Sequence, residues 1–165
     1  MIKAISFIYK KSSLTQDQFK EHYENSHAPL ARSILEFSHY ERNHILNFSA
    51  GNPSCISIFK YSSEELLKKT QKILEDYPKE LKEDELKFMD YDKNYYYFVN
   101  EELLSPKKFK YKVFSKNEIH NDQLHGISVN KIIDQENTIF EYGSQLDLSN
   151  QFDTKTVYFC RNYSS

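Results

Sequence analysis

The stretch FKEHYENSHAPLA, residues 19–31, combines helix signals with a histidine more compactly than any other part of the chain. Its first half has the pattern of an amphipathic helix that is about to end. Pro29 suits the first turn of a second helix, where its missing N–H costs no hydrogen bond. Residues 25–27 lie between the two and predict a break. His27 would then stand at a turn between two helices.

Capping patterns indicate where the predicted helices begin. Thr15 and Gln18 have the spacing of a capping box, and Ser62 and Glu65 repeat it. A helix is therefore expected to begin directly after Thr15 and another directly after Ser62. Residues 79–87 are charge-dense and predict a short solvated helix or an ordered loop. Segments rich in Ile, Phe and Tyr predict four strands, at residues 2–9, 38–48, 55–61 and 95–99.

The order of these elements over residues 1–104 is β-α-β-β-α-β, the order of a ferredoxin-like domain. Such a domain packs both helices on one face of a four-stranded antiparallel sheet, which makes it an α+β fold. The other face of the sheet must also be covered, because a bare apolar face would be a large exposed patch. A second copy of the sheet is the usual solution.

Residues 105–165 begin with a Ser-Pro junction. The segment is β-rich and carries weak helix signals. Strands are predicted at residues 109–114, 126–133, 138–146 and 156–162. The segment is interpreted either as a degenerate second repeat of the first half or as an extension at a dimer interface. The second case predicts a homodimer, whereas the first allows a monomer. The lysines of residues 107–112 are interpreted as guards of an exposed strand edge rather than as a nucleic-acid contact.

Composition argues against several classes of protein. The formal net charge is -2 and the pI about 6.3, whereas a nucleic-acid-binding domain is usually basic. No apolar run approaches the ~20 residues of a membrane span. No secretory signal is visible, so a cytoplasmic protein is expected. The six histidines lack metal-ligand spacing and three glycines cannot form a phosphate loop, so neither a metal nor another cofactor is expected.

Two patterns carry a resemblance to a known family. The pattern F-x3-Y-x3-HAPLA in residues 19–31 resembles the EthD-like family of dimeric α+β barrels. The segment YERNHI, residues 40–45, is similar to that family's second strand, an aromatic residue followed by Arg-Asn-His. The resemblance covers about residues 1–100, with Glu24 where the family often has Trp. It implies two four-stranded sheets packed into a closed barrel, dimeric or pseudo-dimeric, with a cavity in each half.

The resemblance also implies a range of activities. The family and its relatives include proteins of ether degradation, decarboxylases, dehydratases, cyclases, isomerases and cofactor-free monooxygenases. Family membership is therefore a stronger argument for architecture than for a reaction.

His27 is the first candidate catalytic residue. A histidine that faces an aromatic-lined cavity can act as a general base on a C–H or O–H group next to a carbonyl. The alternative is a structural histidine that bonds free backbone groups at the helix break.

His44 is the second candidate, with Tyr40 and Arg42 on the same face of the second predicted strand. If that face lines the cavity, Tyr40 could donate to an oxyanion, Arg42 could bind a carboxylate and His44 could share the proton transfer. If the face meets the helices instead, Glu41 and Asn43 point to the cavity, and a one-residue change in register inverts the two cases. Tyr97, on the fourth predicted strand, is interpreted as barrel packing or as a contact to the ligand.

The resulting first hypothesis is a small cofactor-independent enzyme that uses a histidine base on an apolar or aromatic carbonyl compound. Its reaction would be of the decarboxylase, dehydratase, cyclase or isomerase type. A non-catalytic barrel that binds small ligands or takes part in a stress response is the alternative. A monooxygenase-like oxidoreductase is a third reading, by analogy with the family.

Overall fold

Eight segments rich in β-branched and aromatic residues form strands, as their composition favours. A computed structural model describes residues 1–164 of the chain. The strands are β1 (Ile2–Ile8), β2 (His39–Ile45), β3 (Cys55–Tyr61), β4 (Tyr95–Leu103), β5 (Tyr111–Ser115), β6 (His125–Ile132), β7 (Thr138–Ser144) and β8 (Val157–Ser164). All paired strands are antiparallel. Together with four helices they make an α+β fold, as predicted.

The eight strands close into one barrel in the order β1-β3-β2-β8-β5-β7-β6-β4, and β4 pairs back to β1. The first four strands of the chain are neighbours in the order β4-β1-β3-β2. The last four are neighbours in the order β8-β5-β7-β6. If the strands of each half are numbered 1 to 4 along the chain, both halves have the order 4-1-3-2. The two halves of the barrel meet where β2 pairs with β8 and where β4 pairs with β6. One chain therefore supplies all eight strands.

Four helices cover the outer face of the first half, packed on it through a cluster of buried apolar side chains. They are α1 (Gln16–His22), α2 (Ala28–Ile34), α3 (Glu64–Glu75) and α4 (Lys79–Phe88). The predicted capping box of Thr15 and Gln18 starts α1, with both of its hydrogen bonds present. The N-cap of α3 is Ser63, whose side chain accepts from the backbone N–H of Leu66, so the prediction of Ser62 was wrong by one residue.

The predicted break at residues 25–27 is absent. Residues Tyr23–His27 form one π turn between α1 and α2, and the backbone stays right-handed helical throughout. The N–H of Ala28 donates to the carbonyl of Tyr23, five residues earlier. Pro29 cannot donate the hydrogen bond that an α-helix would require of it, and the change to wider bonding lets the helix continue past that position. His27 is therefore the last residue of a π turn.

Helix α4 replaces the solvated segment that the charges predicted. Leu81, Asp84, Glu85 and Phe88 recur at helical spacing, so they share one face. That face is buried against the first half, whereas the remaining lysines and glutamates of the helix are exposed. Of the two predicted alternatives the helix is correct and the ordered loop is not. The expectation of a solvated segment was wrong, because two acidic residues take part in the packing.

The barrel interior is apolar through its centre and charged at one end. The apolar part includes Ile5, Ile56 and Ile58. At the charged end Lys3 Nζ lies 2.8 Å from Glu141 Oε2, and Lys112 Nζ lies 2.6 Å from Glu41 Oε1 and also contacts Glu141. Both lysines pair with an acidic residue of the other half. Lys112 thus lies inside the barrel, and the prediction that all lysines of residues 107–112 guard an exposed edge was wrong for it.

Loops rather than helices cover the outer face of the second half. Between β5 and β6 and between β7 and β8, these loops contribute Ile119, Leu124, Leu148 and Phe152 to a cluster built around Phe159. The ring of Phe159 stacks on the ring of Phe152 with 5.9 Å between centroids. This packing fills the space above the second sheet.

Candidate functional site

A cavity of about 370 Å³ lies between the helices and the outer face of the first-half sheet. This volume falls in the ~300–1,000 Å³ range of small-molecule pockets. Most of the wall is aliphatic or aromatic, including Ile8, Leu35, Phe59, Leu74, Met89 and Phe98. The polar side chains that reach the cavity include His27, Tyr40, Tyr77 and Glu85. A ligand that fits it is thus largely apolar with one or two polar groups.

His27 is buried at the cavity wall, with 4% of its surface exposed. Its Nδ1 lies 3.1 Å from Asp84 Oδ2 on α4. An ionised carboxylate can only accept a hydrogen bond. The proton of the ring is therefore on Nδ1, which donates a hydrogen bond to Asp84. No residue between 1 and 164 bonds the other ring nitrogen, so Nε2 is the nitrogen that a ligand in the cavity can engage.

Burial sets the charge of this histidine. Removal from water lowers the pKa of His27 below its ordinary value, and the nearby Asp84 carboxylate offsets only part of that effect. The imidazole is therefore neutral at pH 7, with a lone pair on Nε2. Asp84 also accepts from His22, whose Nε2 lies 2.9 Å from Oδ1. Both carboxylate oxygens are thus held, which fixes the orientation of the His27 ring.

Tyr40 and Tyr23 form a buried chain of hydroxyl groups at the same cavity. The hydroxyl of Tyr40 donates to that of Tyr23 at 2.9 Å, and Tyr23 bonds the hydroxyl of Ser57 at 2.9 Å. Burial raises the pKa of both tyrosines above the ordinary value, so both keep their protons. Because the Tyr40 proton is directed to Tyr23, the aromatic ring of Tyr40 is what this residue offers to a ligand.

His44 and Arg42 lie on the same face of β2 but pair with an acidic residue of the π turn. His44 Nε2 lies 2.7 Å from Glu24 Oε1, and Arg42 Nη2 lies 2.7 Å from Glu24 Oε2. Burial alone would lower the pKa of His44, but Cys55 and Glu24 outweigh it and raise that pKa to about 9. His44 is thus a cation at pH 7. Neither it nor Arg42 is among the residues that line the cavity.

The strand parity that the sequence left open is now defined. Tyr40, Arg42 and His44 face the helices, and the cavity is on that side of the sheet. Glu41 and Asn43 face the barrel interior, where Asn43 donates to Glu41 at 2.9 Å. Of the three residues on the helix-facing side, only Tyr40 reaches the cavity.

Tyr97 is placed elsewhere. Its side chain packs in the barrel interior, where its ring meets that of Phe7 edge-on with 6.3 Å between centroids. It lines a separate void of about 30 Å³ rather than the cavity at His27. The structure thus brings His27 and Tyr40 together and separates both from Tyr97.

Three residues of the site were missed from the sequence: Asp84, Glu85 and Tyr77. Asp84 and Glu85 lie in the charge-dense segment that was interpreted as solvated. The signal that could have identified them is the helical spacing from Leu81 to Phe88, which places two carboxylates on the apolar face. A carboxylate at an apolar position needs a partner, and a nearby histidine is a natural one.

Two properties of the described residues limit the kinds of site. No group of three or more His, Cys, Asp or Glu side chains within residues 1–164 could hold a metal ion. None of the helices in that part of the chain has the length and apolar character that a membrane span requires.

Comparison with known proteins identifies the first half. Residues 11–92 match the family model of the EthD domain. The chain is an EthD-domain protein. The EthD match runs from the residues before α1 to those after α4, so it contains His27, Tyr40 and Asp84. Strands β1 and β4 and the second half lie outside it. The resemblance predicted from the sequence is thereby confirmed, and no curated protein matches the chain.

Proposed function

We propose that this EthD-domain protein is an enzyme that uses His27 to remove a proton next to the carbonyl group of an apolar, aromatic compound. One observation carries the proposal. His27 lines an apolar cavity and its Nδ1 donates to Asp84, so Nε2 has no partner among residues 1–164 and the pair has the arrangement of a general base with its orienting carboxylate.

The chemistry follows from the charges. The neutral imidazole accepts the substrate proton at Nε2 and becomes a cation. Asp84 stabilises that cation through the bond to Nδ1 and keeps the ring in the required tautomer. The apolar walls exclude water, so the fixed charge of Asp84 acts in a medium of low dielectric constant. Dehydrating, cyclising and isomerising enzymes can share proton removal at this carbon, whereas a decarboxylating enzyme releases CO2 and then protonates the resulting enolate.

Two features support Tyr40 as a substrate-binding residue. Its ring lies at the cavity wall and stacks on Phe59 with 4.7 Å between centroids. The Arg42 guanidinium lies 4.9 Å from the centre of the same ring, and this cation–π contact helps to fix the ring. Arg42 and His44 thus act indirectly, through Glu24 and Tyr40, in positioning the cavity wall.

The test is hydrogen–deuterium exchange at the carbon next to the carbonyl of bicyclic aromatic ketones, followed by NMR in D2O. The wild type should accelerate exchange of at least one ketone. His27→Gln should abolish the acceleration, and Asp84→Asn should reduce it by about 10²–10⁴-fold because the tautomer is no longer fixed. His120→Gln, at an exposed position, is the matched control. Equal exchange in the wild type and His27→Gln would contradict the proposal.

A non-catalytic binding protein is the second candidate, and one observation favours it. Asp84 accepts from both His22 and His27, so the same bonds tie α4 to the helix that contains the π turn. A structural role predicts that His27→Gln lowers the melting temperature but leaves the affinity for an apolar ligand unchanged. The exchange assay and a thermal melt of the same variants separate the two functions.

The strand order supports a further part of this proposal, that the barrel is a pseudo-dimer of two ferredoxin-like halves. On this interpretation residues 1–104 are one half and residues 105–165 are a degenerate second repeat. The order β8-β5-β7-β6 matches β4-β1-β3-β2 position for position. Because one chain closes the barrel, we expect a monomer of 19.7 kDa in sedimentation equilibrium. A stable homodimer at micromolar concentration would contradict that expectation.

A further inference from the structure

A second protonatable group lies in the same cavity as His27. Glu85 is 8% exposed and lines the cavity together with Tyr77. The hydroxyl of Tyr77 lies 2.8 Å from Glu85 Oε1 and 2.7 Å from Oε2. No lysine, arginine or histidine within residues 1–164 forms an ion pair with this carboxyl group, although Asp84 beside it has three such partners.

Proton counting shows what the pair can do. When Glu85 is protonated, the pair carries two O–H groups. One of them makes the hydrogen bond between Glu85 and Tyr77, so the other can donate into the cavity. When Glu85 is ionised, only the Tyr77 proton remains, and the carboxylate accepts it. The pair therefore offers a donor to a ligand only while Glu85 is a neutral acid.

We propose that Glu85 and Tyr77 form a carbonyl-binding subsite, in which the protonated pair donates a hydrogen bond to the oxygen of a neutral ketone or ester. This subsite deepens the proposed function and rests on it for the identity of the reacting compound. During proton removal by His27, the same donor stabilises the negative charge that develops on the carbonyl oxygen.

The surroundings of Glu85 support a neutral acid. The titratable groups around it are Tyr77, which bonds it, Tyr91 next to Tyr77, Asp84 on the same helix, and His22 and His27 across Asp84. Burial raises the pKa of Glu85 and the negative charge of Asp84 adds to this effect, whereas the Tyr77 bond lowers it; the resulting pKa is about 7. His27 has its pKa shifted downwards in the same cavity. A raised carboxyl pKa and a lowered histidine pKa favour a neutral acid and a neutral base in the same cavity, as an acid and a base that act together require.

The subsite also predicts which ligands are excluded. Above pH 7 the ionised Glu85 would repel a carboxylate ligand in an apolar cavity, and below pH 7 a carboxylate would lose its hydration without meeting a cation. Neutral carbonyl compounds avoid both costs. The inferred substrate is therefore an uncharged aromatic ketone or ester.

The experiment measures the affinity for 2-acetylnaphthalene, which does not titrate, between pH 5 and pH 9. Wild-type Kd should rise about tenfold from pH 6 to pH 8, because the fraction of protein with a protonated Glu85 falls about tenfold. Glu85→Gln keeps a donor at every pH, so its Kd should be independent of pH. Tyr77→Phe removes a bond that lowers the pKa of Glu85, so the midpoint should move upwards. A structural clamp without a donor role predicts none of these pH effects.

Three outcomes would overturn the proposal: no binding of the ketone at any pH, a pH-independent wild-type Kd, or the same pH step in Glu85→Gln. If Glu85→Gln does not fold, the ¹³C resonance of the Glu85 carboxyl group in the wild type provides the check, and a titration midpoint near 4 would overturn it. The His27→Gln variant separates this proposal from the proposed function. It should keep the pH step in Kd even if it exchanges deuterium as fast as the wild type.

Discussion

The two halves of the barrel have the same strand order, but different structures cover their outer faces. In the first half, four helices cover the sheet and leave a cavity of about 370 Å³. In the second half, two loops cover the sheet and their side chains fill the space above it. The order of strands therefore does not by itself create a cavity over the sheet. The cavity forms where a layer of helices covers the sheet.

The second covering shows how the space is lost. Phe159 lies between two stacked rings, those of Tyr111 at 5.5 Å and Phe152 at 5.9 Å. Aromatic rings thus occupy the position over the second sheet that the cavity occupies over the first.

The largest expected effect comes from emptying the second half. Phe159 is fully buried, so Phe159→Ala should lower the free energy of unfolding by about 4 kcal/mol, measured by urea denaturation. The void would make the second half resemble the first, and a small apolar molecule should then stabilise the variant more than the wild type. Ile133→Ala, at an exposed position, is the control. A loss below about 1 kcal/mol would mean that the two coverings differ less than the packing indicates.

The next effect concerns the charges that join the halves. Glu141 is 2% exposed, and Lys3 and Lys112 hold its pKa well below the usual range. Glu141→Gln should cost about 3 kcal/mol in urea denaturation, because each of the two buried ammonium groups loses one of its two carboxylate partners. Glu136→Gln, an exposed position of the same half, should change stability by less than about 0.5 kcal/mol. Equal effects of the two substitutions would show that the charged end of the barrel is open to water.

The sequence predicted the parts of the fold that local patterns determine. The capping box of α1 is an example, because Thr15 and Gln18 interact within four residues. Barrel closure depends instead on pairs such as Asn43 with Asn162, whose partners are far apart in the chain. The π turn was also missed, because no residue pattern distinguishes bonding five residues apart from a helix end at Pro29. Interactions that span the chain leave little trace in a local window.

The site was predicted in part for the same reason. His27 could be identified because it lies in a short motif with helix signals on both sides. Asp84 is 57 residues away, on a helix whose many charges conceal its buried face. The register of β2 decides whether Tyr40 or Glu41 faces the helices, and a pattern of alternating polar residues cannot determine that choice.

A smaller, pH-dependent effect tests how the helices of the first half are attached. His44 has a pKa raised to about 9 in the folded protein, because Cys55 of β3 and Glu24 of the π turn together outweigh the effect of burial. Its contribution to stability is present below the unfolded value of about 6.5 and is lost as the pH rises through 9. The wild type should lose on the order of 2 kcal/mol over that window, whereas His44→Gln should lose much less. Urea denaturation at pH 6, 7.5 and 9 measures the difference.

The smallest effect on stability, with a large effect on binding, comes from filling the first half. Ala31 is 2% exposed and lines the cavity, so Ala31→Leu adds its side chain to existing space and should change stability by less than about 1.5 kcal/mol. The affinity for 2-acetylnaphthalene should fall at least tenfold, since the ligand and the new side chain compete for one volume. Ala50→Leu, on the surface, should change neither quantity. If Ala31→Leu instead binds the ketone as the wild type does, the ligand site is not the helix-covered cavity, and the contrast between the two halves would no longer locate the function.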